Sequence, residues 1–215
     1  KVKAADIQFK GDKNLITIMG AEMDNLFLEK VKSVSISPEV VVRQKDLKIV
    51  YTPIHGTGVK LIPAALRKFG FTNIINVPEQ DVVSGDFPTV ISPNPEEPAA
   101  MKMAVAKAVE VDADVVLASD PDADRIGVAV KNDKGEFVIL NGNQTALVFI
   151  YYIISKRKES KKLKGSEFIV KTIVTTELIA KIAERNNVDY FDVYTGFKYI
   201  AEVIRDHEGP KVYIG

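Results

Sequence analysis

The sequence predicts an α/β protein: two consecutive three-layer α/β units with mixed, largely parallel sheets, the second unit truncated. Short apolar runs such as Leu47–Ile54 and Phe168–Ile173 alternate with stretches of helical period such as Val59–Phe69 and Thr175–Asn186. Leu47 to Val77 reads as strand, helix, strand, a βαβ unit that implies a right-handed crossover and parallel strands. The same strand–loop–helix unit returns in the last third of the chain. The expected division is a tail from a preceding domain at 1–20, a first α/β unit at 21–138 and the start of a second at 139–215. The chain opens at Lys1 without Met and stops at Gly215 just after an apparent strand, so a piece of a longer protein is expected.

In order, Ala21 to Val34 carries apolar residues at Met23, Leu26, Phe27, Val31 and Val34, the spacing of an amphipathic helix. Ser35 to Asp46 is read as a connection. The strand Leu47–Ile54 leads through His55-Gly56-Thr57-Gly58 into a helix at Val59–Phe69. Pro63 is expected in that helix's first turn, where a missing N–H costs little, and Gly70 is expected at its C-cap. Asn73–Val77 is the next strand. Pro78 to Pro98 is a long connection with prolines at 78, 88, 93, 95 and 98, and such loops are functional or disordered.

Ala99–Val111 is an alanine-rich helix behind Pro98. Val115–Ala118 is a buried strand. Ile126–Val130 and Phe137–Leu140 flank the hairpin turn Asn132-Asp133-Lys134-Gly135. Helices are expected at Asn141–Lys156, at Thr175–Asn186 with Thr175 or Thr176 as N-cap, and at Tyr199–His207. Strands are expected at Phe168–Ile173, Asp189–Tyr194 and Lys211–Ile214. The basic stretch from Lys156 to Lys164 reads as a solvated surface turn.

Composition narrows the function classes. Lys plus Arg and Asp plus Glu both number 29, so no basic excess invites nucleic acid. There is no Cys, and only two His are present, which argues against thiolate and zinc centres. The longest apolar run, Ala146 to Ile154, falls short of the roughly 20 residues that span a bilayer. No signal-peptide pattern is present, and a cytoplasmic protein without membrane partners is expected.

Ala118-Ser119-Asp120-Pro121-Asp122-Ala123-Asp124-Arg125 carries the chemistry. Pro121 disfavours a helix, so the segment is a loop or extended turn after a strand. In an extended chain, residues two apart point the same way, so Asp120, Asp122 and Asp124 can converge. Three such carboxylates repel one another and call for a hard cation bound through oxygen. A calcium EF-hand loop needs Gly at position 6 and Glu at position 12, where this chain has Arg125 and Lys131, so that reading fails. Magnesium at the C-terminal end of a strand fits, and Arg125 supplies a fork matched to phosphoryl oxygens. The competing reading is a polar turn of backbone-capping Asp residues.

Two further segments are candidates. His55-Gly56-Thr57-Gly58 joins a strand to a helix, where small residues admit an anion to backbone N–H groups. It lacks the third Gly of a dinucleotide loop and the Gly-Lys-Ser/Thr of a P-loop. Thr195-Gly196-Phe197-Lys198 repeats the setting later in the chain, with Lys198 able to reach a phosphate or hydroxyl.

With these residues in place, the chain resembles the α-D-phosphohexomutases, the phosphoglucomutase/phosphomannomutase family. The resemblance rests on Asp120-Pro121-Asp122-Ala123-Asp124-Arg125, on Tyr51 to Gly58, on Pro93-Asn94-Pro95-Glu96-Glu97-Pro98 and on Thr195-Gly196-Phe197-Lys198. It implies the second of four domains and part of the third. It also implies Mg2+ held by Asp120, Asp122 and Asp124, with Arg125 supporting, and a sugar phosphate substrate met by Lys198, Gly196, Thr195 and His55. The implied reaction interconverts hexose 1-phosphate and hexose 6-phosphate through a phosphoserine and a bisphosphate. The Ser-His-Asn-Pro loop that carries the serine is absent here, so this chain is expected to be inactive without its flanking domains. A magnesium-dependent phosphatase and a non-catalytic metal-stabilised scaffold are the alternatives.

Overall fold

The computed structural model describes residues 3–7, 10–207 and 209–215. Residues 1, 2, 8 and 9 of the expected tail lie outside them, and the described residues from 3 to 20 are all exposed.

The first sheet has the strand order β2-β1-β3-β4-β5. β1 (Lys48–Thr52) is central and runs parallel to β2 (Asn73–Asn76) and to β3 (Val115–Ser119). β4 (Ile126–Lys131) and β5 (Phe137–Leu140) follow as antiparallel strands. β1 is buried at four of its five residues, as a strand covered on both faces should be. Its side chains alternate. Val50 joins a core with Val116, Ala118, Ala129 and the helix α4 (Pro98–Glu110), which contributes Ala100, Met101, Ala104 and Ala108. Tyr51 points to the other face, beneath α3 (Gly58–Phe69). α1 (Gly20–Ser33) lies on α3, and Lys68 Nζ meets Glu29 Oε1 at 2.6 Å between them.

The second sheet is parallel throughout, in the order β7-β6-β8, with β6 (Glu167–Thr172) between β7 (Asp189–Val193) and β8 (Val212–Tyr213). Its core joins Ile169 to Ile150 and Ile154 of α5 (Gly142–Glu159) and to Ile179 and Ala183 of α6 (Leu178–Arg185). α7 (Phe197–His207) lies on the opposite face, where Phe168 meets His207 with ring centroids 5.6 Å apart. α5 opens with a capping box, Asn141 accepting from Gln144 N and Gln144 accepting from Asn141 N. No helix among the described residues is long and apolar enough to cross a membrane.

Three expectations change. The connection 35–46 contains a short helix, α2 (Pro38–Arg43), started by Pro38 at its first turn. α3 begins at Gly58, so Pro63 is its sixth residue, past the first turn where it was expected, inside the helix and buried. α6 begins at Leu178, because residues 172–176 are spent on a turn. In that turn Thr175 N donates to Thr172 O, and Thr176 N donates to Asn143 Oδ1 of α5. The N-cap is therefore Glu177, without a side-chain capping bond, and not Thr175 or Thr176, although the Thr176 hydroxyl accepts from Leu178 N at 3.3 Å.

Two separate cores should respond separately. Met101→Ala and Ile154→Ala each remove a fully buried side chain, for a loss of about 2–5 kcal/mol. Hydrogen exchange is expected to show the first loss in β1 and β3 amides and the second in β6 amides. Equal deprotection of both sheets by either variant would show a single cooperative unit instead.

Candidate metal centre

The strand order reverses at β1, and the loops leaving β1 and β3 meet at their C-terminal ends, where open α/β sheets place ligands. The acidic segment is the loop of the β3–β4 hairpin. Asp120 N donates to Arg125 O across its base at 3.4 Å, and Ala123 N donates to Asp120 O at 3.0 Å. Ala123 is left-handed, with φ of 62°. The three carboxylates therefore converge through a turn and not through the alternation of an extended chain. One oxygen from each of Asp120, Asp122 and Asp124 lies within 4.8 Å of the others.

The three acids differ in environment. Asp120 is 1% exposed, while Asp122 and Asp124 are open to solvent. Asp120 Oδ1 accepts from Arg125 N at 2.9 Å and Oδ2 from Arg125 Nε at 2.7 Å. Burial pushes the Asp120 carboxyl up, but the Arg125 N–H and guanidinium outweigh it, and the group is held below the usual range. Repulsion from Asp122, followed by burial and Asp120, pushes Asp124 above that range. The bond to Asp120 holds the Arg125 guanidinium further up. The Arg125 side chain is 54% exposed, and among the described residues its terminal nitrogens donate no hydrogen bond, so they face solvent beside the acids.

The donor set is all carboxylate oxygen, the preference of Mg2+ or Ca2+. Octahedral Mg2+, with oxygens at about 2.1 Å, separates its ligands by roughly 3–4 Å, so the spacing closes on such an ion with small side-chain movements.

The turn after β1 braces this loop. Thr57 N and Thr57 Oγ1 both donate to the Pro121 carbonyl, at 2.8 and 3.0 Å. A Cβ on Gly56 would lie 2.4 Å from Pro121 Cα, and one on Gly58 would lie 2.4 Å from the Tyr51 hydroxyl. Gly56 admits one loop to the other and Gly58 admits the Tyr51 and Ser119 hydroxyls, a different use from the anion approach expected of them. Tyr51 Oη and Ser119 Oγ share a buried 2.8 Å hydrogen bond at the foot of the acidic loop. Burial pushes the Tyr51 phenol up to about 12, so it stays protonated.

His55, expected on the substrate side, is 1% exposed and already engaged. Its Nδ1 lies 2.8 Å from the Val82 carbonyl, which can only accept, so Nδ1 carries a proton; Nε2 lies 2.8 Å from Thr89 Oγ1. Thr52 Oγ1 donates to Gln80 Oε1, and Gln80 Nε2 donates to Thr89 Oγ1, at 2.7 and 3.1 Å. The proline-rich connection is thus folded against the β1 turn. Ile54 and His55 are both left-handed, at φ 45° and 63°, a strain of about 1–3 kcal/mol each that this network holds in place.

Thr195, Gly196 and Lys198 stand on the second sheet, after β7. Thr195 and Lys198 are exposed, Gly196 has φ of 133°, and Lys198 Nζ lies 4.8 Å above the Tyr199 ring. Sequence reasoning passed over Lys171, whose side chain is 2% exposed between Glu177 at 2.7 Å and Asp192 at 2.5 Å. A lysine within Phe168-Ile169-Val170-Lys171, opposite Asp192 in the register, was its only signal.

A sheet edge carrying three convergent carboxylates and a free guanidinium fork defines a class of protein, one able to seat a hard cation beside an anionic group. The chain belongs to the phosphoglucomutase/phosphomannomutase family: its alpha/beta/alpha domain II matches residues 25–135 and its alpha/beta/alpha domain III matches residues 141–215. A phosphoglucomutase of Staphylococcus haemolyticus is 30% identical over 94% of this chain and 35% of its own length. One from Staphylococcus aureus is 36% identical over 77% of this chain and 30% of its own length. The chain thus spans about a third of the length of these curated relatives. The fold is shared with a phosphoglucomutase/phosphomannomutase family protein of Burkholderia thailandensis, with a TM-score of 0.68 and 19% identity over 86% of this chain and 36% of that one. It is shared too with an Aspergillus fumigatus N-acetylphosphoglucosamine mutase in complex with GlcNAc-6P and magnesium, with a TM-score of 0.57 and 17% identity over 85% of this chain and 37% of that one.

Two substitutions test the loop geometry. Ala123→Gly removes the left-handed penalty and should stabilise the chain by up to about 1 kcal/mol in urea unfolding. Gly56→Ala drives a methyl into Pro121 backbone and should destabilise it by about 1–3 kcal/mol or more. The reverse pattern would show that the two loops do not meet in this way.

Proposed function

We propose that this chain is the metal-bearing part of a magnesium-dependent hexose phosphate mutase. The observation that carries the reading is the convergence of Asp120, Asp122 and Asp124 beside the Arg125 fork. Family membership supports it, as does the magnesium in the Aspergillus fumigatus complex. The parent reaction moves a phosphoryl group between the 1- and 6-positions of a hexose through a phosphoserine supplied from outside these 215 residues. On this reading, the chain alone does not turn over.

The residues divide the work. Asp120, Asp122 and Asp124 hold Mg2+, which when bound neutralises charge on a transferring phosphoryl group. Asp120 is anchored by Arg125 Nε, so the cation site and the guanidinium keep a fixed relation. The terminal nitrogens of Arg125 orient phosphoryl oxygens through two parallel hydrogen bonds, which the single ammonium of lysine cannot match. Lys198, with Thr195 and Gly196, meets the sugar phosphate from the second unit. His55 serves as a strut for the β1 turn, since both its nitrogens are occupied.

Conversion of glucose 1-phosphate by the full-length protein, with and without Mg2+, tests the reading. Phosphate release by the 215-residue chain alone would favour a phosphatase. A full-length protein that binds metal but converts nothing would favour a scaffold. Asp122→Asn, at an exposed position, is expected to weaken Mg2+ binding at least about tenfold in calorimetric titration. An unchanged isotherm would remove Asp122 from the site. Arg125→Lys in the full-length protein is expected to lower kcat/KM by about 10- to 100-fold, for the loss of charge-assisted hydrogen bonds. Wild-type kinetics would exclude the fork from the reaction.

A further inference from the structure

We propose that Thr57 is a positioning residue for the acidic loop, fixing the peptide between Asp120 and Asp122 through its paired bonds to the Pro121 carbonyl. This rests on the reading of the three aspartates as Mg2+ ligands. Asp120 is held from within the loop by Arg125 N and Nε. Asp122 has no such anchor among the described residues, so the path of its backbone is set first by the two backbone torsions of Pro121. The pyrrolidine ring locks the first of these, φ. The second, ψ, sets where the Pro121 carbonyl points, and with it the Asp122 N–Cα bond. Thr57 grips that oxygen twice, by N–H at 2.8 Å and by hydroxyl at 3.0 Å. Two donors from one residue restrain rotation more than either alone. The hydrogen of Gly56 against Pro121 Cα sets the distance at which both bonds close. The Tyr51–Ser119 pair holds the preceding strand end to β1. Thr57 itself is exposed and adds nothing to either core. Its hydroxyl therefore acts on the loop and not on the stability of the fold.

Thr57→Val keeps the shape and the N–H and removes the hydroxyl; Thr57→Ser keeps the hydroxyl. In Mg2+ titration of the 215-residue chain, Thr57→Val should bind about tenfold more weakly and Thr57→Ser within about twofold of wild type. The metal-free Tm of either variant should move by no more than about 3 °C. Without metal, the Ala123 and Arg125 amides should exchange about tenfold faster in Thr57→Val and at the wild-type rate in Thr57→Ser. If Thr57→Val unfolds, Pro121→Gly replaces it: freeing φ should loosen the same two amides and weaken Mg2+ comparably. A Thr57→Val protein with wild-type Mg2+ affinity and wild-type exchange overturns the proposal. Wild-type protein that takes up no Mg2+ overturns the cation reading alone, and the metal-free exchange rates then decide the role of Thr57.

Discussion

The structure depends on one close approach, that of the turn after β1 to the loop after β3. Parallel pairing carries Thr52 alongside Ala118, so both chains leave the sheet at the same level and compete for the same space. Two hydrogens settle the competition. With no Cβ at Gly56, Pro121 can lie against the turn; with none at Gly58, the Tyr51 hydroxyl fits beneath the start of α3. A larger residue at Gly56 forces backbone apart and strains the Thr57–Pro121 bonds, and one at Gly58 drives into the Tyr51 and Ser119 hydroxyls. The strain at Ile54 and His55 follows from the same demand. The chain must reverse within a few residues without rising above the sheet, and left-handed backbone does this.

The proline-rich connection makes that strain tolerable. Gln80 and Thr89 belong to it, and through them His55 and Thr52 are joined in one buried network in which each polar group has a partner. Farther along, Pro95 lies so close to Gly127 that a Cβ there would come within 2.5 Å of the Pro95 carbonyl. The connection thus runs from the β1 turn to the foot of β4. Its prolines lower the entropy of holding this path and supply no donors that need satisfying.

Much of this was legible in the sequence. Periodicity located the main strands and helices, since burial on one face or both leaves its mark on residue order. Asp-x-Asp-x-Asp-Arg after Val115–Ala118 marked the acidic loop, because no apolar pattern or ordinary turn asks for three acids so spaced. What stayed hidden depends on distant partners. His55 looked like a cleft residue because Val82 and Thr89 lie 27 and 34 positions away, within a segment of no periodicity. The start of α6 depends on Asn143, which is 33 positions earlier. The glycines announced a tight turn, but only the fold shows that Pro121 is what they make room for. Ala123 gave no sign of its left-handed backbone, since alanine carries no preference for it.

Charge explains why this arrangement calls for a ligand. Asp120, Asp122 and Asp124 carry three negative charges and Arg125 one positive, so the loop stands at about −2. Arg125 Nε neutralises the buried Asp120 and leaves the exposed pair to repel each other, which is why Asp124 holds its proton more firmly than an ordinary aspartate. One divalent cation cancels that excess. On the proposed reading a neutral loop would no longer repel a phosphoryl group, and the terminal nitrogens of Arg125, which donate no hydrogen bond among the described residues, would stand beside it as directional donors. The second unit repeats the strand order, with β6 between β7 and β8 as β1 lies between β2 and β3. The C-terminal end of β8 is therefore the counterpart of the acidic loop. Thr195-Gly196-Phe197-Lys198, after β7, is the counterpart of the segment after β2. Lys198 thus stands at the exit of an outer strand, β7, in the first turn of α7.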